Sequence, residues 1–177
     1  MKYAIVCLLK GKPKTYHKNL VKKLSTKFSI PSVSDLVEPH FTLKAIFETN
    51  KIKEVETLLK RFASKNKKSK VKLKGIGHFG NDVIFIKVIL SKEAKTTYNK
   101  FVEELKSIDW MSWDVYEGKN RNFHVTLVES GMNKNFIDIW NYLKMFKPDF
   151  TTSLNAIAIL TPYKGKWHKY KEFALKL

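Results

Sequence analysis

The chain is poor in cysteine, glycine, proline and arginine, and it has no long hydrophobic run. Its single cysteine, Cys7, cannot form an internal disulfide, which excludes a disulfide-stabilised secreted scaffold and favours a reducing cytoplasm. Seven glycines and five prolines among 177 residues exclude a collagen-like or linker-like chain. The longest apolar run, 4–9, is far shorter than the roughly 18 residues of a membrane span, and so is the run 83–86. We therefore expect no membrane segment, and we interpret the N-terminal run as a core strand.

Positive charge dominates what is present. Lys and Arg together number 34 against 16 Asp and Glu, a formal net charge of +18. Such a field attracts polyanions, RNA among them. Only Arg61 and Arg121 are arginines, however, and arginine is the residue whose planar fork recognises phosphate with two hydrogen bonds. The lysine excess alone therefore indicates a polyanionic partner without identifying one.

Hydrophobic periodicity predicts an α+β domain. After a first strand, each half of the chain has the order helix, strand, helix, hairpin, so two similar lobes are expected within one domain over residues 1–177. The predicted helices lie near 20–28, 52–62, 98–105 and 136–143. The predicted strands lie near 3–9, 41–47, 71–74, 83–90, 123–128, 154–160 and 167–175.

The two halves share one tetrapeptide, His-x-Thr-Leu. It begins at His40 in the first half and at His124 in the second. A strand alternates its faces, so His40 and Thr42 share one face, as do His124 and Thr126. The intervening apolar residues then point into the packing against the helices.

Two such pairs suit phosphoryl transfer if the lobes face each other across a groove. The entering and leaving oxygens lie on opposite sides of phosphorus, so an acid and a base are needed on opposite sides. Histidine, with an ordinary pKa near 6.5, serves in either role at neutral pH. The hydroxyl of each threonine, two residues along, is placed to donate to a phosphate oxygen.

The paired motifs resemble those of the two-histidine (2H) phosphoesterase superfamily, which includes the 2′-5′ RNA ligases and 2′,3′-cyclic phosphodiesterases. The segment Gly75-Ile76-Gly77-His78-Phe79 is similar to a glycine-phenylalanine hairpin found in many members. The resemblance implies a bilobal fold, with two antiparallel sheets lining a central groove and helices packed outside. It also implies His40, Thr42, His124 and Thr126 as the catalytic residues, acting on a 2′,3′-cyclic phosphate or a 2′-5′ phosphodiester. No metal or cofactor is implied.

Three further residues are candidates for substrate binding. Lys44 is expected on the face of His40 and Thr42, where it would draw in phosphate. Arg121, just before the second motif, is a candidate for the same role, with a surface salt bridge as the alternative. Tyr163, in the predicted turn of the last hairpin, is a candidate for stacking on a base.

Competing interpretations remain open at this point. A zinc site uses three or four ligands, and the chain has neither an HExxH motif nor a second cysteine. A non-catalytic RNA-binding module would use the same basic groove, and a third alternative is a phosphoesterase for a cyclic phosphate outside RNA. His17, His78 and His168 lack matched partners and are interpreted as structural or surface residues. No oligomerisation segment is recognised, so a monomer is expected.

Overall fold

The computed structural model describes residues 1–129 and 135–177, and it has the expected α+β fold. Within these residues there are four helices: α1 (Gly11–Phe28), α2 (Ile52–Lys65), α3 (Lys92–Lys106) and α4 (Phe136–Leu143). The strands are β1 (Lys2–Leu8), β2 (His40–Glu48), β3 (Ser69–Phe79), β4 (Val83–Leu90), β5 (His124–Glu129), β6 (Asp149–Leu154), β7 (Ala156–Tyr163) and β8 (Lys166–Ala174). Short 3-10 turns lie at Val33–Asp35 and Gly118–Asn120.

The strands form two antiparallel four-stranded sheets, one in each lobe. The first sheet has the order β2-β1-β7-β8 and the second has the order β5-β4-β3-β6. The halves of the chain therefore exchange hairpins. The hairpin of the first half, β3–β4, pairs with the motif strand of the second half, and β7–β8 joins the sheet of β2. Each lobe is thus built from both halves, which ties the two motif strands into one unit.

Burial of one face orients both motif strands. Phe41 and Leu43 on β2 are buried, as are Val125 and Leu127 on β5. These residues belong to one large apolar core that includes side chains from both sheets and from all four helices. The alternate positions on each strand, which carry the histidines and threonines, are only half-buried. The hydrophobic effect thereby turns the polar pairs away from the helices.

Two features of the second sheet differ from the sequence expectation. The sequence does not predict the strand β6, because Asp149–Leu154 is mostly polar and has no apolar run. The strand β3 continues to Phe79, through a bulge near Gly75, whose φ of 75° is in the left-handed region that glycine adopts without strain. Among the described residues, no helix is long and apolar enough to cross a membrane.

Candidate active site

The two motif strands meet at one groove between the lobes. β2 and β5 approach each other across the lobe boundary. His40 and Thr42 line one part of the groove, a cavity of about 290 Å³, and His124 lines the adjoining part, of about 1070 Å³. Arg121 lines both parts. We call these two adjoining cavities the groove.

The two histidines are held in the same way. His40 Nδ1 lies 2.8 Å from the carbonyl oxygen of Glu38, and His124 Nδ1 lies 2.8 Å from that of Asn122. A carbonyl oxygen can only accept, so each Nδ1 carries the proton and donates it. No partner for either Nε2 is found among the described residues, and both Nε2 atoms are left available to a ligand. Each motif therefore fixes its own imidazole through the backbone two residues earlier.

Electrostatics couple the two rings. Burial lowers the pKa of His40 from its ordinary value, the hydrogen bond to Glu38 opposes this, and the charges of His124 and Arg121 lower it further. Burial also lowers the pKa of His124; Arg121 adds to that effect, while the bond to Asn122 and the charge of Glu129 oppose it. The two imidazoles are thus close enough for the charge on one to influence the protonation of the other.

Arg121 is positioned by contacts on both sides. Its Nε donates to the carbonyl oxygen of Thr42 at 2.8 Å, and its Nη1 lies 3.6 Å from Glu117 Oε1. The side chain is largely buried, at 11% exposure. These contacts tie the segment before the second motif to the strand of the first, and they leave further N–H groups of the fork unused. The role of Arg121 in drawing in phosphate stays a prediction.

Lys44 lines the larger part of the groove, but its side chain is not on the half-exposed face of His40 and Thr42. The pairing of β1 with β2 shifts register on both sides of Lys44, so simple alternation fails there. The side chain is buried, and its Nζ forms an ion pair of 2.8 Å with Glu117 Oε2, over the ring of Trp113. We expected the ammonium of Lys44 to face phosphate. It is instead buried in the wall of the groove and paired with Glu117.

Glu117 is the hub of this buried network. Besides Lys44 and Arg121, it accepts hydrogen bonds from the backbone N–H groups of Ala45 at 2.6 Å and Asp114 at 3.1 Å. Burial acts to raise the pKa of Glu117, but the hydrogen bonds from Lys44 and the backbone outweigh it and hold the pKa below the ordinary value. Sequence reasoning missed Glu117, because no local motif marks it.

The second motif also receives support from α1. His17 is 2% exposed, and its Nε2 lies 2.7 Å from the carbonyl oxygen of Thr126, to which it donates. Burial lowers the pKa of His17 to about 4, so the ring is neutral at neutral pH. The hydroxyl of Thr126 makes no hydrogen bond within the described residues. His17 is therefore structural, as expected, but what it supports is the motif strand itself.

Aromatic rings frame His124. Phe79, at the end of β3, and Phe85, on β4, each have ring centroids 5.0 Å from that of His124. Gly77 makes this possible, because a Cβ there would lie 2.7 Å from a ring carbon of Phe85. Tyr163 is 62% exposed at the β7–β8 turn, where Lys164 covers its ring, and it does not line the groove.

Metal ligation has no ready site in the part of the chain that the structure describes. There, no group of three or more His, Cys, Asp or Glu side chains is arranged to hold a metal ion. The free thiol of Cys7 is buried, and burial raises its pKa to about 11, which suits a packed core residue rather than a ligand or nucleophile.

Known proteins resemble this chain in sequence pattern and in fold. The family model described as the 2′-5′ RNA ligase superfamily matches residues 13–166. A comparison with curated proteins returned no significant match.

Solved structures share the fold over nearly the whole chain. The Thermus thermophilus protein TT0787 is 17% identical with a TM-score of 0.68, covering 99% of this chain and 98% of its own. E. coli LigT complexed with NADP+ is 12% identical with a TM-score of 0.67 and the same coverage. Kluyveromyces marxianus Usb1 is 11% identical with a TM-score of 0.53, covering 98% and 97%. At these identities the likeness concerns the fold alone.

Proposed function

Because the chain belongs to the 2′-5′ RNA ligase superfamily, a family of phosphoesterases and ligases, we propose that it opens 2′,3′-cyclic phosphates at RNA ends or on nucleotides. The observation that carries the proposal is the pair of matched histidines lining one groove, each with Nδ1 bonded to its own backbone and Nε2 available. The catalytic residues of this proposal are His40, Thr42, His124 and Thr126.

The reaction needs one neutral and one protonated imidazole. The neutral ring takes a proton at Nε2 from water as the water oxygen bonds to phosphorus. The other ring gives its Nε2 proton to the ribose 3′ oxygen as the P–O3′ bond breaks, which leaves a 2′-phosphate and a 3′-hydroxyl. When a ribose 5′-hydroxyl replaces water as the attacking group, it loses its proton to the neutral ring, the P–O3′ bond breaks in the same way, and a 2′-5′ phosphodiester forms.

Electrostatic coupling favours that mixed protonation state. A proton on His124 lowers the pKa of His40, so the two rings resist being charged together. Over an interval of pH only one of the two Nε2 atoms carries a proton, which is the state the reaction uses. Because each Nδ1 is hydrogen-bonded to a backbone carbonyl, each ring gains or loses its proton at Nε2.

The phosphate oxygens have three candidate donors. The hydroxyls of Thr42 and Thr126 lie on the same strand faces as the histidines, and Arg121 lines both parts of the groove. A hydrogen bond to a charged partner contributes roughly 1.5–3 kcal/mol. Solved structures of E. coli LigT with NADP+ and with 3′-AMP show that nucleotides bind to that protein of the same fold, which supports a nucleotide substrate here.

The test is product analysis with 2′,3′-cyclic AMP and with RNA ending in a 2′,3′-cyclic phosphate. We expect the wild type to yield the 2′-phosphate, with activity persisting in EDTA. His40→Ala and His124→Ala are each expected to lose about 10²–10⁴ in rate. His168→Ala, a change of an exposed histidine on β8, is the matched control and retains the wild-type rate.

Two results would overturn the proposal. One is a wild-type protein that binds RNA without turning over either substrate, as a non-catalytic RNA-binding module would. The other is a turnover that EDTA abolishes and that metal restores. As part of the same proposal the protein acts in the cytoplasm, where its unpaired Cys7 thiol stays reduced.

A further inference from the structure

Two shallow cavities extend from the groove across the surface of the second lobe. A shallow cavity of about 660 Å³ shares Phe79 and Asn122 with the groove, so the two are continuous. It passes over Gly77 and the side chain of Lys87, which follows Phe85 by two positions on β4. Phe79, 37% exposed, stands where this cavity joins the groove.

A third cavity continues the same path. It has a volume of about 520 Å³ and shares Ile76 and Trp140 with the second. Its basic side chains are Lys74, Lys144 and Lys147. We call the surface from Phe79 through Lys87 and Trp140 to Lys147 the lysine track.

Most of the positive charge on this track is unpaired. Lys87, Lys144 and Lys147 are exposed, and among the described residues no carboxylate lies within salt-bridge distance of them. Lys74 pairs with Asp149 at 3.5 Å, but both side chains are more than half exposed, so this pair is weak. Lys44, by contrast, has a buried and paired charge. The lysine track therefore brings unpaired ammonium groups next to the groove.

Aromatic surface alternates with this charge. Trp140 on α4 lies half-buried on the track, with the ring of His78 packed against it at a centroid distance of 4.7 Å. The strand β6 pairs only with residues 69–74 of β3, and the N–H of Gly75 donates to Pro148, so β3 from Ile76 to Phe79 is the open edge beside these rings. Exposed rings and unpaired lysines in sequence along a shallow path are the features of surfaces that bind single strands.

We propose that the lysine track binds the single-stranded RNA that precedes the cyclic phosphate, so that the preferred substrate is an RNA end several nucleotides long rather than a free cyclic nucleotide. The inference rests on the proposed function, which places the cyclic phosphate between the histidines. The backbone then leaves the groove past Phe79, with phosphates near Lys87, Lys144 and Lys147 and bases against the aromatic rings.

The experiment compares a short and a long substrate on the same variants. Lys144→Ala with Lys147→Ala is tested against Lys22→Ala with Lys23→Ala, two exposed lysines of α1 that line none of the cavities described above. The substrates are 2′,3′-cyclic AMP and an RNA of about ten nucleotides ending in a 2′,3′-cyclic phosphate. We expect the track variant to raise KM for the RNA about three- to tenfold, with kcat unchanged and cyclic AMP kinetics unchanged.

Salt dependence supplies a readout independent of turnover. Binding of the same RNA ending in a 2′-phosphate is followed by fluorescence anisotropy against salt concentration. Loss of two phosphate contacts is expected to reduce the slope of log K against log salt by about 1.4, since each contact contributes about 0.7 on a single strand. The α1 variant is expected to keep the wild-type slope.

The outcomes separate the two proposals. If wild-type protein turns over neither substrate, the proposed function fails, while the anisotropy still tests the track. If cyclic AMP and RNA are turned over but the track variant equals the wild type, or if both double variants weaken RNA binding equally, the lysine track is not an RNA site.

Discussion

At the scale of single residues, Arg121 contributes a geometry that a lysine lacks. Part of its fork contacts the Thr42 carbonyl and Glu117, and the side chain lines both parts of the groove. A lysine there keeps the charge but loses the fixed fork. The chain's other arginine, Arg61, pairs with Glu104 on the surface and provides an internal comparison.

We therefore predict that Arg121→Lys lowers kcat/KM for 2′,3′-cyclic AMP by about 10- to 100-fold, which corresponds to the loss of one charge-assisted hydrogen bond. Arg61→Lys is expected to leave kcat/KM unchanged, and steady-state kinetics on the two variants is the measurement. Equal rates for the two variants would show that Arg121 does not hold the substrate.

At the scale of elements, α1 and β5 are joined through one buried imidazole. His17 takes up a proton only near pH 4 in the folded protein, whereas the unfolded chain takes it up near 6.5. Because the pKa of His17 is lowered in the folded protein, the contribution of the neutral ring to the free energy of unfolding is fully present above pH 6.5. It is lost as the pH falls from about 6.5 toward 4, because the unfolded state then binds the additional proton.

We predict that this one group removes up to about 3 kcal/mol from the free energy of unfolding over that interval. Urea denaturation at pH 7 and at pH 4.5 measures it, and His17→Gln is expected to lack that part of the pH dependence. His168→Gln, on the exposed surface of β8, keeps it. A wild-type pH dependence in His17→Gln would rule out the assignment.

Element order was predictable from hydrophobic periodicity, but strand partners were not. Apolar spacing indicated the helices and most strands, and the alternation around Phe41 and Val125 correctly placed the histidines and threonines on one face. The exchange of hairpins between halves depends on tertiary packing that no local pattern records. The same holds for β6, whose polar residues owe their strand to pairing with β3.

In the candidate site, too, residues in local motifs were predictable, and contacts between residues distant in the sequence were not. His40 and His124 were identified because each lies in a repeated local motif. The burial of Lys44 was not predicted, because a register shift breaks the alternation there, and Glu117 was missed because its partner Lys44 lies far away in the sequence. Charges that satisfy one another across the fold leave no local signal.

At the scale of the whole molecule, the exchanged hairpins bring the two distant motifs to one groove. Burial in that groove then changes the pKa values of the two histidines. Burial lowers the pKa of both His40 and His124. Above these pKa values the acid has lost its proton, and below them the base has gained one.

We predict a bell-shaped dependence of kcat/KM on pH, with its maximum on the acid side of 6.5 and both limbs belonging to the coupled pair. The pH-rate profile of 2′,3′-cyclic AMP hydrolysis measures it, and His168→Ala is expected to superimpose on the wild type. A rate that continues to rise from pH 6.5 to 8 would be inconsistent with an imidazolium acid.

The central claim is that His40 and His124 act on the same phosphorus atom. A double-mutant cycle on 2′,3′-cyclic AMP hydrolysis, with His40→Ala, His124→Ala and both together, tests it most directly. Residues that act as a unit are non-additive, so we predict that the double variant is scarcely slower than the slower single variant. A wild-type rate in either single variant, or a double variant slowed by the product of the two single effects, would contradict the account.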